Sequence, residues 1–283
     1  MYTTVTIGII FYNNSTDDIL KCFRGILNQT AIAQIPEVIV IDQGGGENAD
    51  HILQWKESQD NLSFNLVILK GENKGFGGGH NILVNNSTSD LYLALNPDGF
   101  MHPTCLEELL TLAKIKNWNG LFEAIQEPIM HPKYYDPNTG LTDWCSGACL
   151  LMSKSIYKYL NGFDEDFFLY CEDVDISWRA RANNIQCFTC STALFFHFAE
   201  DRKSRQIEIW KSAMILAYKW RSKSFYNFSR KILMEISNNA VQSVEKNMLN
   251  IKKQSRKSIR NVSPSFNYGL NFSKPMWKKV QYE

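Results

Sequence analysis

Apolar and polar positions change rhythm several times along this chain, and the changes divide it into elements. Val5–Tyr12 (VTIGIIFY) and Glu37–Asp42 (EVIVID) are short β-branched runs ending in polar or turn residues, the pattern of buried parallel strands. Between them, Thr16–Asn28 carries Ile19, Leu20, Phe23 and Leu27 at helical spacing behind a Ser15 or Thr16 cap. Leu66–Leu69 and Leu91–Leu95 read as a third and a fourth strand, with helical segments near Ala49–Ser58 and His80–Asn86 between the strands. Strands alternating with helices predict an α/β fold with a mainly parallel sheet. Pro103–Ala113 begins another helix, with Leu106, Leu109, Leu110 and Ala113 on one face.

The second half is less regular. Gly120–Tyr135, rich in Pro, Tyr and His, reads as a loop crossing the site, and Trp144–Met152 as a strand opened by small residues. Gln186–Ser191 and Leu194–His197 read as two further short strands. After His197 the period becomes helical at Ile207, Trp210, Met214, Ala217 and Tyr218, while residues 244–283 are polar and basic with weak periodicity and predict partial order. The division predicted is residues 1–200 as one α/β domain and 201–283 as a basic helical extension.

Charge sharpens that division. Residues 1–200 carry 12 Lys and Arg against 24 Asp and Glu, a net of −12, whereas residues 201–283 carry 18 against 5, a net of +13. A basic tail on an acidic body either meets an anionic surface, such as the cytoplasmic leaflet or nucleic acid, or docks on the body itself. No run of about 18 apolar residues would span a bilayer, and the amino terminus lacks the basic-then-apolar pattern of a secretory signal, so the chain is expected in the cytoplasm. Seven scattered cysteines fit reduced thiols better than a disulfide framework.

The chemistry concentrates in two places. Leu91–Gly99 (LYLALNPDG) ends an apolar run in Asn96-Pro97-Asp98, which puts one carboxylate at the carboxyl end of a strand, where open α/β sheets bind ligands. A plain Asn-Pro-Asp-Gly turn is the competing reading. The second place is Glu172-Asp173-Val174-Asp175, three carboxylates in four positions beside the aromatic run Phe167–Tyr170. Such a local conflict marks a functional site, although acids also suit a helix start, and Asp175 to Arg179 is a helical i,i+4 pair. Asp175 takes the structural role, leaving Glu172 and Asp173 for acid–base work.

Several rivals weaken on inspection. Gly71–Asn81 (GENKGFGGGHN) half-matches a dinucleotide fingerprint at Gly75 and Gly77, but its third position is His80 and it follows the third strand rather than the first. No GxxxxGK[ST] phosphate loop occurs. Cys145 with Cys149 and Cys187 with Cys190 suggest zinc only until their apolar surroundings are considered. A Ser146 or Cys145 nucleophile with His197 lacks the G-x-S-x-G elbow.

Taken in order, VTIGIIFYNN, VIVIDQGG, NKGFGGGHN, LALNPD, SGACLLMSK, GFDEDFFLYCEDVDISWRAR and His197 resemble the inverting family 2 glycosyltransferases of the GT-A fold. Within them the set looks most like bacterial rhamnosyltransferases of surface-polysaccharide (O-antigen, capsule, cell-wall) assembly. The resemblance covers roughly residues 3–200 and does not reach the tail. It implies a Rossmann-like mixed sheet flanked by helices, a nucleotide-sugar donor, favoured as dTDP-L-rhamnose with UDP-hexoses and UDP-galactofuranose open, and a glycan or lipid-linked acceptor. No nucleic acid is then expected as a partner.

Carried over by position, Phe11, Tyr12 and Asn13 would border the nucleotide, Asp42 its base, and Asn73, Lys74 and Gly75 its ribose and diphosphate. Asp98 corresponds to the last acid of the family's DxD motif, with Asn96 in place of the first, and His197 to a histidine completing a Mn²⁺ or Mg²⁺ site. Asp173 would be the catalytic base with Glu172 in reserve, and Trp144, Ser146 and Gly147 would line donor sugar and acceptor. A nucleotidyltransferase and a non-catalytic nucleotide- or nucleic-acid-binding protein remain the readings from other classes.

Overall fold

The computed structural model of the chain describes residues 4–197 and 205–276. Its centre is one eight-stranded sheet of order β3-β2-β1-β4-β7-β6-β8-β5. The parallel half contains β1 (Val5–Phe11), β2 (Glu37–Asp42), β3 (Asn65–Lys70) and β4 (Leu91–Leu95). These strands alternate with α1 (Thr16–Leu27), α2 (Glu47–Glu57) and α3 (Gly75–Asn86), as the change of apolar period predicts. Ser15 caps α1 with a capping box to Asp18. The mixed half contains β5 (Gly99–Met101), β6 (Gly120–Glu127), β7 (Cys149–Ser153) and β8 (Gln186–His197), with β7 antiparallel to both neighbours. On one face pack α1 and α4 (Cys105–Ile115), and on the other α3, α5 (Lys154–Tyr159) and α6 (Glu172–Ala182).

Four expectations need correction. The glycine segment is not a loop preceding a helix at His80, because α3 starts at Gly75, and Gly77 and Gly79 allow close packing on Phe163 and Ile10. The first half of Gly120–Tyr135 is not a loop but the buried strand β6, whose polar Glu123 and Gln126 mask its apolar pattern. Trp144–Ala148 precedes strand β7 rather than opening it. The two short strands near the end of the sheet are one strand, β8, whose pairing with β6 shifts register between Ala124 and Ile125.

The described part of the tail is helical: α7 (Gln206–Lys219), α8 (Lys223–Ile236), α9 (Asn238–Asn247) and α10 (Arg256–Val262). Residues 201–204 and 277–283 lie outside the described residues. Far from being loosely attached, these helices share a core with α6, in which Trp178 packs edge-on to Trp220, Phe266 and Phe272. Even the weakly periodic stretch after residue 244 buries Met248, Ile251, Val262 and Phe272. Lys219, only 1% exposed, ion-pairs with Asp164 (2.5 Å) and with Asp166, so at this point the basic tail does dock on the acidic body.

Candidate active site

At the carboxyl end of β4 the sheet opens onto a cavity of about 520 Å³. Asp98 sits in the turn joining β4 to β5, and β5 pairs with the end of β8 so that Gly99 faces His197. That register brings His197 Nε2 to 3.0 Å from Asp98 Oδ1, with Asn96 Nδ2 3.3 Å from the same nitrogen. Burial alone would raise the Asp98 pKa, but the hydrogen bond and charge of His197, with a smaller contribution from Arg205, hold it below the ordinary carboxylate value.

Across the cavity, α6 begins with Glu172 and Asp173. Tyr170 and Cys171, immediately before it, both have positive φ (70° and 66°), a kink unusual for non-glycine residues that turns the first turn of the helix toward the opening. Asp173 accepts hydrogen bonds from the backbone N–H of Gly147 (3.2 Å) and of Val174 (2.8 Å). Burial nevertheless raises its pKa to about 6, the two N–H donors only moderating the effect. Glu172 is more deeply buried, its Oε2 has no hydrogen-bond partner, and burial together with the Asp173 charge pushes its pKa well above the ordinary value. Of the two adjacent carboxyls, Glu172 is thus held more strongly toward its protonated form than Asp173, which separates an acid–base role from a hydrogen-bonding one. Asp175 is structural, bonded to Arg179 Nε (2.6 Å) and to the Trp220 indole (2.9 Å).

At and beneath the cavity wall are residues that sequence reasoning missed, of which Gln126 and Lys133 line the cavity. Glu123 of β6 forms an almost fully buried ion pair with Lys133, accepts from Thr189 Oγ1, and accepts from the Ser146 backbone N–H at 2.5 Å. Lys133 also donates to the Trp144 carbonyl. Gln126 bridges Ser146 Oγ (2.9 Å) and His197 Nδ1 (2.9 Å). A glutamate and a glutamine inside an apolar strand were the available signal, since buried polar groups need partners.

Of the residues expected to bind, Tyr12, Asn13, Asn96, Asp98, Trp144, Ser146, Gly147, Glu172, Asp173 and His197 all line this cavity. Phe11 does not: its side chain is fully buried in the core against Phe23. Asp42 is also buried, with its oxygens committed to the Gly44 (2.7 Å) and Ala49 (2.8 Å) N–H groups. Asn73, Lys74 and Gly75 form the start of α3 outside the cavity lining, where Asn73 Oδ1 accepts from Gly75 N–H. Ser146 and His197 have no mutual hydrogen bond and are joined through Gln126, so no serine nucleophile pair exists there. The seven cysteines are free and buried, and among the described residues no group of three or more His, Cys, Asp or Glu is arranged to hold a metal.

Comparisons with known proteins agree with this architecture. A hexosyltransferase of low-salt glycan biosynthesis, Agl10 of Haloferax volcanii, is 24% identical over 216 residues, 68% of this chain and 66% of its own length. The N-acetylglucosaminyl-diphospho-decaprenol L-rhamnosyltransferase of Mycobacterium tuberculosis is 35% identical over 65 residues, 23% of this chain and 21% of its own. The matches thus span less than two thirds of either curated relative. The solved mannosyltransferase PcManGT of Pyrobaculum calidifontis, in complex with GDP-Man and Mn²⁺, superposes with a TM-score of 0.62 at 12% identity. That superposition covers 93% of this chain and 79% of that one and makes the shared fold GT-A. Residues 6–166, more than half of the chain, match the family described as glycosyl transferase family 2, and the chain belongs to that family.

Proposed function

We propose that this protein transfers a sugar from a nucleoside-diphosphate donor to a hydroxyl of a glycan or lipid-linked acceptor, with inversion at the anomeric carbon. The observation that carries the reading is that one cavity presents both Asp98 with His197 and, from α6, Asp173 with a pKa near 6. Asp173 takes the proton of the acceptor hydroxyl as its oxygen bonds to the anomeric carbon, while the bond from that carbon to the diphosphate breaks. A single displacement of this kind inverts the configuration. Glu172, which burial and the Asp173 charge hold toward its protonated form, offers a hydrogen-bond donor to a sugar hydroxyl.

The Asp98–His197 corner fits a divalent cation: a carboxylate oxygen and an imidazole nitrogen face one another at 3.0 Å, a donor set suited to Mn²⁺ or Mg²⁺. Two side-chain ligands leave the remaining positions to the donor's diphosphate, whose growing charge a bound cation would neutralise. The Mn²⁺ in the complex of PcManGT supports a divalent cation in general. Tyr12 and Asn13 are the residues proposed to meet the nucleotide, and the face of Trp144 the sugar, because its indole N–H is taken by the Asn271 carbonyl (2.8 Å).

The favoured donor is dTDP-L-rhamnose, supported by the likeness to the mycobacterial rhamnosyltransferase, whose named acceptor is also the model for a polyprenyl-diphosphate-linked one here. A UDP-hexose is the second reading, favoured by the longer match to Agl10. The basic tail would face the anionic inner leaflet where such an acceptor resides. No helix among the described residues is long and apolar enough to cross a membrane. Calorimetric titration of the full chain with dTDP, UDP and GDP, each with and without Mn²⁺, tests the reading. Metal-enhanced binding of dTDP or UDP is expected, and binding of none of them would overturn it.

A further inference from the structure

Gln126 takes no part in the transfer just described, yet it is only 6% exposed and is bonded at both ends. Its Nε2 donates to Ser146 Oγ, so its Oε1 is the atom facing His197 Nδ1. An amide oxygen can only accept, which requires Nδ1 to carry the hydrogen. Nε2 is then the ring nitrogen turned toward Asp98 Oδ1, to which it donates across 3.0 Å while no cation lies between them, with the Asn96 amide nitrogen 3.3 Å away. We propose that Gln126 is a positioning residue that holds the His197 ring through its Nδ1–H, so that Nε2 faces Asp98 Oδ1 and, on giving up its proton, joins it in holding one cation. The inference rests on the cation reading of that corner.

The sheet is built to deliver this contact. Past the register shift, Gln126 pairs with Phe195 of β8, and His197 lies two residues further along on the same face. The shift follows Ala124, immediately before Ile125 and Gln126, so it is what sets the amide opposite this part of β8. The amide orientation is itself held from behind: Ser146, its acceptor, is anchored through its backbone N–H to Glu123, which the buried Lys133 pins in turn. Partners of this outer kind change metal affinity by roughly 10–100-fold when removed.

The test uses the full chain labelled with ¹⁵N at histidine and free of metal, the His197 ring signals being assigned by their disappearance in His197→Asn. The wild type is expected to show a protected, hydrogen-bonded Nδ1–H, and Gln126→Leu to lose that pattern. Mn²⁺ binding in the presence of dTDP or UDP, followed by the electron spin resonance of free Mn²⁺, should weaken roughly 10–100-fold in Gln126→Leu. Gln126→Glu keeps an acceptor toward Nδ1 and should restore both the ring pattern and affinity to within about threefold of wild type, an outcome a merely space-filling role for Gln126 would not give. A wild type without a protected Nδ1–H, or unchanged Mn²⁺ affinity in a folded Gln126→Leu, overturns the proposal. A wild type that binds no Mn²⁺ with any nucleotide would instead overturn the cation reading, and the metal-free ring spectrum tells the two failures apart.

Discussion

The indole N–H of Trp144 donates to the backbone carbonyl of Asn271 across 2.8 Å, joining the wall of the cavity to a segment 127 residues further along. Leu270, Asn271 and Phe272 line the same cavity, so the tail completes the site as well as covering α6. Deleting residues 264–276 is expected to weaken acceptor binding and to destabilise the core around Trp178. The milder Phe272→Ala removes a buried ring that packs on Trp178 and should cost about 3–5 kcal/mol in denaturant unfolding. Loss of less than about 1 kcal/mol would show that the segment is not part of that core.

The acid pair makes a prediction in which activity and stability move oppositely. Asp173→Asn removes the base and should lower kcat about 10²–10⁴-fold with donor binding retained, whereas Glu172→Gln, which mimics the protonated form that burial favours, should keep most of the rate. In wild type, kcat/KM should rise with pH through about 6 and level off above it. Because burial raises the folded pKa above the ordinary carboxylate value, the folded state prefers the protonated Asp173; the associated stability is present in acid and lost as pH rises through about 6. Asp173→Asn should therefore raise Tm at pH 8, with the gain shrinking toward pH 4. A rate independent of pH from 5 to 8, or equal losses in the two variants, would remove Asp173 from its role.

Lys133, which lines the cavity, forms an almost fully buried ion pair with Glu123 behind it, and each has further polar partners. Removing one member leaves an unpaired charge, so Lys133→Met is expected to cost about 3–5 kcal/mol in chemical denaturation. The double variant Glu123→Leu with Lys133→Met should recover part of the loss while leaving Ser146 unanchored, visible as a lowered kcat. Additive losses would show that the pair is not coupled.

Gly75 starts α3 with φ +70°, and a Cβ there would lie 1.9 Å from the Phe168 carbonyl oxygen, the same oxygen that accepts from Phe76 N–H at 3.0 Å. Gly75→Ala is thus expected to cost on the order of 1–3 kcal/mol and to loosen the 163–170 loop that leads into Glu172. Hydrogen exchange of the Phe76 amide reads this directly, and unchanged protection would refute it.

The proposed membrane contact is better tested by charge than by truncation, since cutting near residue 200 would strip α6 of its cover. Lys231, Lys252, Lys257 and Arg260 are exposed. Their joint replacement by Glu should reduce flotation with anionic vesicles more than tenfold while leaving thermal unfolding near wild type, each basic residue contributing about 1 kcal/mol at an anionic surface. Flotation unaltered by the reversal would exclude the tail as the contact.

Hydrophobic rhythm was sufficient for β1 to β4 and for α1 and α2, though not for the glycine-rich start of α3, because parallel strands buried on both faces read as continuous apolar runs such as VTIGIIF and EVIVID, whatever they pack against. The same local reasoning found Asp98 at a strand end and the acids at the start of α6. It could not find β6, since Glu123 and Gln126 are tolerable inside a strand only through partners supplied by Lys133, Ser146 and His197. Nor could it find that Phe11 and Asp42 turn into the core, or that Leu270–Phe272 reach the cavity. Chain pattern determines which residues seek a core and where strands end, because those preferences are local. Which buried polar groups meet, and so which carboxyl is pushed furthest toward its protonated form, depends on contacts between segments tens to more than a hundred residues apart, and these exist only once the tertiary structure has formed.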